Sequence, residues 1–278
     1  MNDLLRLLPP IRRTRGNRLY TAGGERLLDL WLDDGRGILG ERDRATRTQA
    51  ANAADKGLTR PYPGLYDTRF IKALSSTWHG FSVVRLFSSE ERSLEAARRV
   101  LGNKTAIVIV DTARSASTPL QGTAALAIAR PFVDIPEGFD LAMPRLPCPR
   151  PYAPWCLAAR AGSQAALALE EETGDMLPAQ ALFSASRGLA SLDAAAKDGY
   201  AEPLWQKLDR RLGAFFERSG PYLFAKTDPA HYDGFFKAAL AGGALIAPRA
   251  DAISVVPPDF DDGELVKLAS SLARYLAS

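Results

Sequence analysis

The chain has 278 residues, 46% of them apolar and 24% charged, and Lys plus Arg exceed Asp plus Glu by three. This is a globular composition with enough apolar mass for one large core or two unequal ones, which excludes disordered and fibrous classes. The small net charge and the lack of a wide basic face argue against a nucleic-acid partner, and no apolar run nears the roughly 18 residues of a membrane span.

The opening MNDLLRLLPPIRR is too short and too broken by Pro9 and Pro10 to act as a secretory leader, so a cytoplasmic protein is expected. Arg12, Arg13 and Arg15 read as solvated or interfacial residues of an arm. From Gly16 to Leu39 apolar and polar residues alternate around Gly23-Gly24, which predicts a hairpin. Val83 to Phe87 reads as a strand, and Ser88 with Glu91 three residues on is a capping-box pattern for the helix carrying Leu94, Ala97 and Leu101. The run TAIVIV, Thr105 to Val110, predicts a strand buried on both faces. Asp111 ends it, at the carboxyl end where parallel sheets place their chemistry.

The proline-rich stretch from Pro131 to Pro154 predicts a structured connection with short strands. Leu182, Ala185, Leu189 and Leu192 recur at helical spacing, as do Leu204, Leu208, Leu212 and Phe215-Phe216. A short strand, AISVV, precedes Pro257-Pro258, and Leu265, Leu268, Leu272 and Leu276 mark a final helix. Cys148 and Cys156, without a nearby histidine pattern, read as buried reduced thiols rather than metal ligands. His79 and His231 likewise lack metal-ligand spacing.

The alternation of strands and helices predicts an α/β fold: a central, mostly parallel sheet covered by helices, with a small α+β domain built from both chain ends. The expected division is 1–66 for the arm and small-domain hairpin, 67–198 for a large α/β domain and 199–278 for the C-terminal α+β part.

In that order the text resembles the class III branch of the fold type I pyridoxal phosphate-dependent aminotransferases. RGNRLYTAGGERLLDLWLDDGRGILG is similar to the family's opening hairpin, and RLFSSEERSLEAARRVLG to its phosphate-loop segment. IVIVDTARSAS resembles the strand whose aspartate pairs with the pyridine nitrogen. FSASRGLASLDAAAKDGYAEPLWQKLDRRLGAFFERSG resembles the helices after the lysine, and SVVPPDFDDGELVKLASSLARYL the closing strand, double proline and helix. The resemblance implies a homodimer and a pyridoxal phosphate cofactor. That cofactor needs a lysine amine, an acid opposite the ring nitrogen and donors for the phosphate.

Matching FDLAMPRLPCPRPYAPWCLAA to the family through Asp140 and Tyr152 places Leu146 at the Schiff-base position, beside Arg145. Leucine has no amine and arginine stays protonated. No lysine lies between Lys104 and Lys197. Asp111 either partners a ring nitrogen or anchors a loop. Ser88 and Ser89 are the possible phosphate donors, but Glu90 and Glu91 follow, and Ser88 with Glu91 also reads as a plain helix cap. Ser254 stands where many relatives hold the substrate carboxylate with an arginine. Family members are longer, and the missing length falls around Gly102-Asn103-Lys104. The expectation is a truncated, degenerate member without bound cofactor, retained for a small-molecule ligand or a partner near Asp111. The alternative is an active pyridoxal phosphate-dependent aminotransferase whose lysine is unrecognised or supplied by a second subunit. Lys104, the nearest candidate, starts the strand that Asp111 ends, about 20 Å away. A third reading is a scaffold subunit whose cleft is filled by side chains.

Overall fold

The computed structural model describes residues 4–40, 44–102, 107–114, 124–150 and 153–277. The chain divides into one unit of residues 1–43 and 194–278 and another of residues 44–193. Lys104 and Tyr152 lie outside the described residues.

In the first unit Gly24, at φ +88°, takes the left-handed turn conformation open to glycine. It lets β2 (Arg18–Thr21) fold back on β3 (Arg26–Asp29) as the predicted antiparallel hairpin. β1 (Ile11–Arg15) pairs outside β2, and β11 (Ala244–Leu245) joins β3 in parallel, so residues from both ends of the chain share one sheet. Every residue of β1 is exposed. Arg12, Arg13 and Arg15 thus stand on an open edge, where charge discourages strand addition. The Arg13 guanidinium lies 4.5 Å from the centre of the Tyr20 ring.

The second sheet of this unit is β12 (Ser254–Val255), β10 (Tyr222–Ala225) and β9 (Phe216–Ser219) in that order, accompanied by α6 (Glu202–Leu212), α7 (Tyr232–Ala241) and α8 (Asp262–Leu276). The helical stripe read from Leu204 through Phe216 is too long. α6 ends at Leu212 with Gly213 as its cap, and Phe216 opens β9. Glycine is a poor helix former, and Phe216 buries its ring edge-on to Phe235 at 5.6 Å.

α8 begins in a full capping box, Asp261 with Glu264. Glu264 also accepts from both Nε and Nη2 of Arg18, each at 2.8 Å, so the cap ties the last helix to the first hairpin. The two side chains are 11% and 13% exposed. Burial alone would raise the Glu264 pKa, but hydrogen bonds from Arg18 and from the Asp261 amide outweigh it and hold the carboxyl below its ordinary value. A depressed carboxylate pKa contributes stability above the unfolded pKa, and that contribution is lost as pH falls through the folded value. Glu264→Gln is expected to destabilise the protein by about 1 kcal/mol at neutral pH. The deficit should shrink as pH falls below the ordinary glutamate pKa of about 4.3, where the unfolded chain protonates first; urea unfolding across pH measures both effects.

In the second unit α1 (Arg44–Asp55) and α2 (Leu65–Thr77) precede a five-stranded sheet. Its order is β4 (Phe81–Phe87), β8 (Trp155–Arg160), β7 (Leu141–Pro144), β6 (Ala125–Ala129) and β5 (Val108–Asp111). β8 runs antiparallel to both neighbours while β7, β6 and β5 pair in parallel, so every strand but β8 points the same way. The remaining helices are α3 (Glu90–Val100), α4 (Gln164–Glu171) and α5 (Ala179–Lys197).

Alternation within the strands separates large from small side chains. Leu126, Ile128, Leu141, Met143 and Leu157 form one core cluster with Ala96, Ala97 and Val100 of α3 and Ala165, Ala166 and Leu169 of α4. The intervening Ala125, Ala127, Ala129, Ala142 and Ala158 are buried too.

The expectation that the Asp111 strand is buried on both faces is corrected. β5 is the end strand of the sheet, and Val108 and Ile109 are each 48% exposed. The apolar run predicted a strand, but an edge position leaves such a run uncovered. The fold class is otherwise the one read from the sequence: a mostly parallel sheet with helices, and an α+β unit made from both chain ends. Among the described residues no helix is long and apolar enough to cross a membrane.

Candidate functional site

Because β4, β5, β6 and β7 share a direction, their carboxyl ends lie along one edge of the sheet. The residues leaving that edge are Ser88 after β4, Asp111 and Thr112 at β5, Arg130 after β6 and Arg145 after β7. The sheet order sets their spacing. β4 and β5 are its two outer strands, so Ser88 and Asp111 stand four strand spacings apart, roughly 19 Å.

Asp111 is held by a neighbour. Arg130 Nε donates to Oδ1 at 2.9 Å and to Oδ2 at 2.8 Å, and Arg130 Nη2 lies 2.7 Å from Oδ2. The guanidinium is 4% exposed, and the Ala113 amide also donates to Oδ1 at 3.1 Å. The pair locks the ends of β5 and β6 together, as does the Thr112 amide donating to the Ile128 carbonyl at 3.1 Å. Arg130 also stands between Asp111 and the Leu146 segment, because β6 lies between β5 and β7. Beside Leu146 the adjacent strand end therefore carries a cation.

Leu146 is fully buried. Its neighbour Arg145 donates through its amide to the Ala129 carbonyl at 2.8 Å. The Arg145 side chain crosses to Glu90 Oε1 at 3.1 Å and lies 5.1 Å over the Trp155 ring. A second arginine–carboxylate pair thus bridges the ends of β7 and α3.

The predicted cap is displaced by one residue. Ser89, not Ser88, is the N-cap of α3, accepting from the Arg92 amide at 3.2 Å. An N-cap hydroxyl must sit one residue before the first helical turn, and the helix begins at Glu90. Ser88 has another role. Its amide donates to Asp175 Oδ2 at 2.8 Å and its hydroxyl donates to the same oxygen at 2.6 Å. Arg92 completes the set, with Nε 2.8 Å from Oδ2 and Nη2 2.5 Å from Oδ1. Burial would raise the Asp175 pKa, but the Ser88 and Arg92 donors prevail and keep it below the ordinary carboxylate value.

Ser254 is buried in the first unit, where its hydroxyl accepts from the Ala247 amide at 2.9 Å. Among the described residues of the second unit the lysines are Lys56 and Lys72, both exposed and neither at a strand carboxyl end. Cys148 and Cys156 are buried, and no His, Cys, Asp or Glu cluster among the described residues could hold a metal.

These groups do not fit pyridoxal phosphate held as the resemblance implies. The Ser88 donors are directed to Asp175, Asp111 is taken up by Arg130, and Leu146 offers a buried aliphatic chain. Arg130 and Asp175 escaped the sequence reading. Arg130 had a signal: it ends the apolar run ALAIA as Asp111 ends IVIV, with the opposite charge. Asp175, in a Gly-Asp loop 87 residues from Ser88, had none.

The architecture is that of solved aminotransferases. An ω-transaminase from Sphaerobacter thermophilus superposes with TM-score 0.67 at 13% identity, over 97% of this chain and 91% of that one. The Plasmodium falciparum ornithine δ-aminotransferase gives TM-score 0.64 at 14% identity over 96% and 92%. N-acetylornithine aminotransferase from Stenotrophomonas maltophilia K279a gives 0.62 at 15% over 100% and 98%. At these identities the likeness defines the fold. In sequence the chain is similar to two uncharacterized proteins. One is from Treponema pallidum (strain Nichols), 26% identical over 92% of this chain and 91% of its own length. The other, from Borreliella burgdorferi, is 24% identical over 93% and 88%. No family model matches the chain.

Proposed function

We propose that this chain is an aminotransferase-like protein of the class III type that does not transaminate, and that it binds a small ligand or a partner at the carboxyl edge of its central sheet. The observation that carries the reading is Leu146, fully buried at the position the resemblance gives to the Schiff-base lysine. Two further features support it. Asp111, the acid that the resemblance sets opposite a pyridine nitrogen, is taken up by the Arg130 guanidinium at 2.7 Å. Ser254 replaces a substrate-binding guanidinium with a hydroxyl committed to the backbone.

On this reading the chain is a shortened, degenerate relative, acts in the cytoplasm and forms a homodimer, which a solution mass measurement tests. The purified protein mixed with pyridoxal phosphate and treated with borohydride is expected to carry no pyridoxyl group at the sheet edge by peptide mass mapping. A pyridoxyl adduct on a single lysine, formed in stoichiometric yield, overturns the reading. That result would establish the alternative, an active aminotransferase with its lysine at Lys104 or from a partner subunit. Likeness to solved transaminases, one of them described with PLP bound, is what favours this second reading.

A further inference from the structure

The loop between α4 and α5 lies along β4, the outer strand of the sheet on that side. Arg85 of β4 donates from Nε to the Glu172 carbonyl at 3.1 Å and from Nη2 to the Glu170 carbonyl at 2.7 Å. The Asp175 amide donates to the Leu86 carbonyl at 2.7 Å. Between them Gly174 passes so close that a Cβ would sit 3.0 Å from the Leu86 carbonyl oxygen. Residues 172–175 therefore act as a strap on an edge strand, and the absence of a side chain at Gly174 permits the approach. At its far end Asp175 receives both Ser88 donors and two nitrogens of Arg92.

Each half of this arrangement has its own physical logic. A strap of backbone along β4 hides polar groups that an outer strand otherwise offers to another chain. A carboxylate with four charge-assisted or backbone donors is close to saturated, so the donors it holds are withdrawn from any other anion. Ser88 is, with Ser89, one of the two residues that the aminotransferase resemblance offers to a cofactor phosphate.

We propose that Asp175 is a built-in occupant of this corner: the chain supplies its own oxyanion at the end of β4, and that contact latches the 172–175 strap and shuts the corner to phosphate. The inference rests on the aminotransferase-like reading of the fold, but not on the missing lysine. Its test therefore uses inorganic phosphate, which needs no lysine, and its failure is separate from failure of the borohydride experiment.

Hydrogen exchange is followed at the Ser88 amide and at the amide of residue 175 in the full chain, for wild type, Asp175→Ala and Asp175→Asn, with and without millimolar inorganic phosphate. In wild type both amides are expected to exchange slowly and to ignore phosphate. In Asp175→Ala both should exchange roughly ten- to a hundredfold faster, the effect of losing hydrogen bonds to a charged group, and phosphate should restore protection at Ser88. Asp175→Asn keeps the size and one acceptor, so it should fall between them and secures the comparison if the alanine variant folds poorly. Unchanged exchange at Ser88 in both variants overturns the latch. Phosphate protection equal in wild type and variants, or a strap that opens without any response to phosphate, overturns the role of Asp175 as the phosphate's stand-in.

Discussion

Asp111→Ala is expected to destabilise the ligand-free protein by about 3 kcal/mol, because it leaves the Arg130 guanidinium buried without its carboxylate. That guanidinium is 4% exposed and Asp111 19%, so water reaches only the acid's side of the pair. Arginine cannot escape by losing its proton. Partial solvation of Asp111 places the cost at the low end of the range for broken buried pairs. The double variant Asp111→Ala with Arg130→Met should recover most of the loss, since an apolar side chain of similar length needs no counter-charge. Urea unfolding of the wild type, both single variants and the double variant gives the coupling. Were Asp111 held for a ligand instead, its removal would leave the stability of the ligand-free protein unchanged.

Gly188→Ala is the second substitution with a large expected effect, a loss of about 2 kcal/mol. Gly188 lies in the middle of α5, and a Cβ there would sit 2.4 Å from the Pro147 carbonyl oxygen and 3.3 Å from its carbon. Both neighbours are backbone, so neither can swing aside. The helix or the segment that carries Leu146 must shift, at a cost that exceeds the roughly 1 kcal/mol by which alanine favours a helix over glycine. The near-ultraviolet signal of Trp155, which stacks on Arg145 of that segment, should change with it. Gly263→Ala is the control: it lies in α8 with nothing within 4 Å of the added carbon, and stability there should hold or rise. A Gly188→Ala protein as stable as the wild type would show that the Leu146 segment yields freely to α5.

How far the site could be read depended on the range of each interaction. The Gly23-Gly24 hairpin, the strand at Val83 to Phe87 and the helix through Leu182 and Leu192 all follow from patterns within a few residues, and the structure holds each of them. The cap at α3 falls one residue later than its pattern predicts, since Ser88 and Ser89 are equivalent in type and only the first helical turn decides between them. The Asp111 strand is more exposed than its apolar run predicts for a different reason. An apolar run specifies a strand, but not its place in the sheet.

Composition and periodicity were therefore enough to determine the α/β character and the small α+β unit built from both chain ends. Tertiary structure alone decided which charges meet. Arg130 finds Asp111 because β6 lies beside β5, Arg145 reaches Glu90 across β8, and Asp175 reaches Ser88 because a loop 87 residues away is strapped to β4. Hydrophobic periodicity is a local property and is written along the chain, whereas the partner of a charged side chain is chosen by strand order and loop path, which no short stretch of sequence contains.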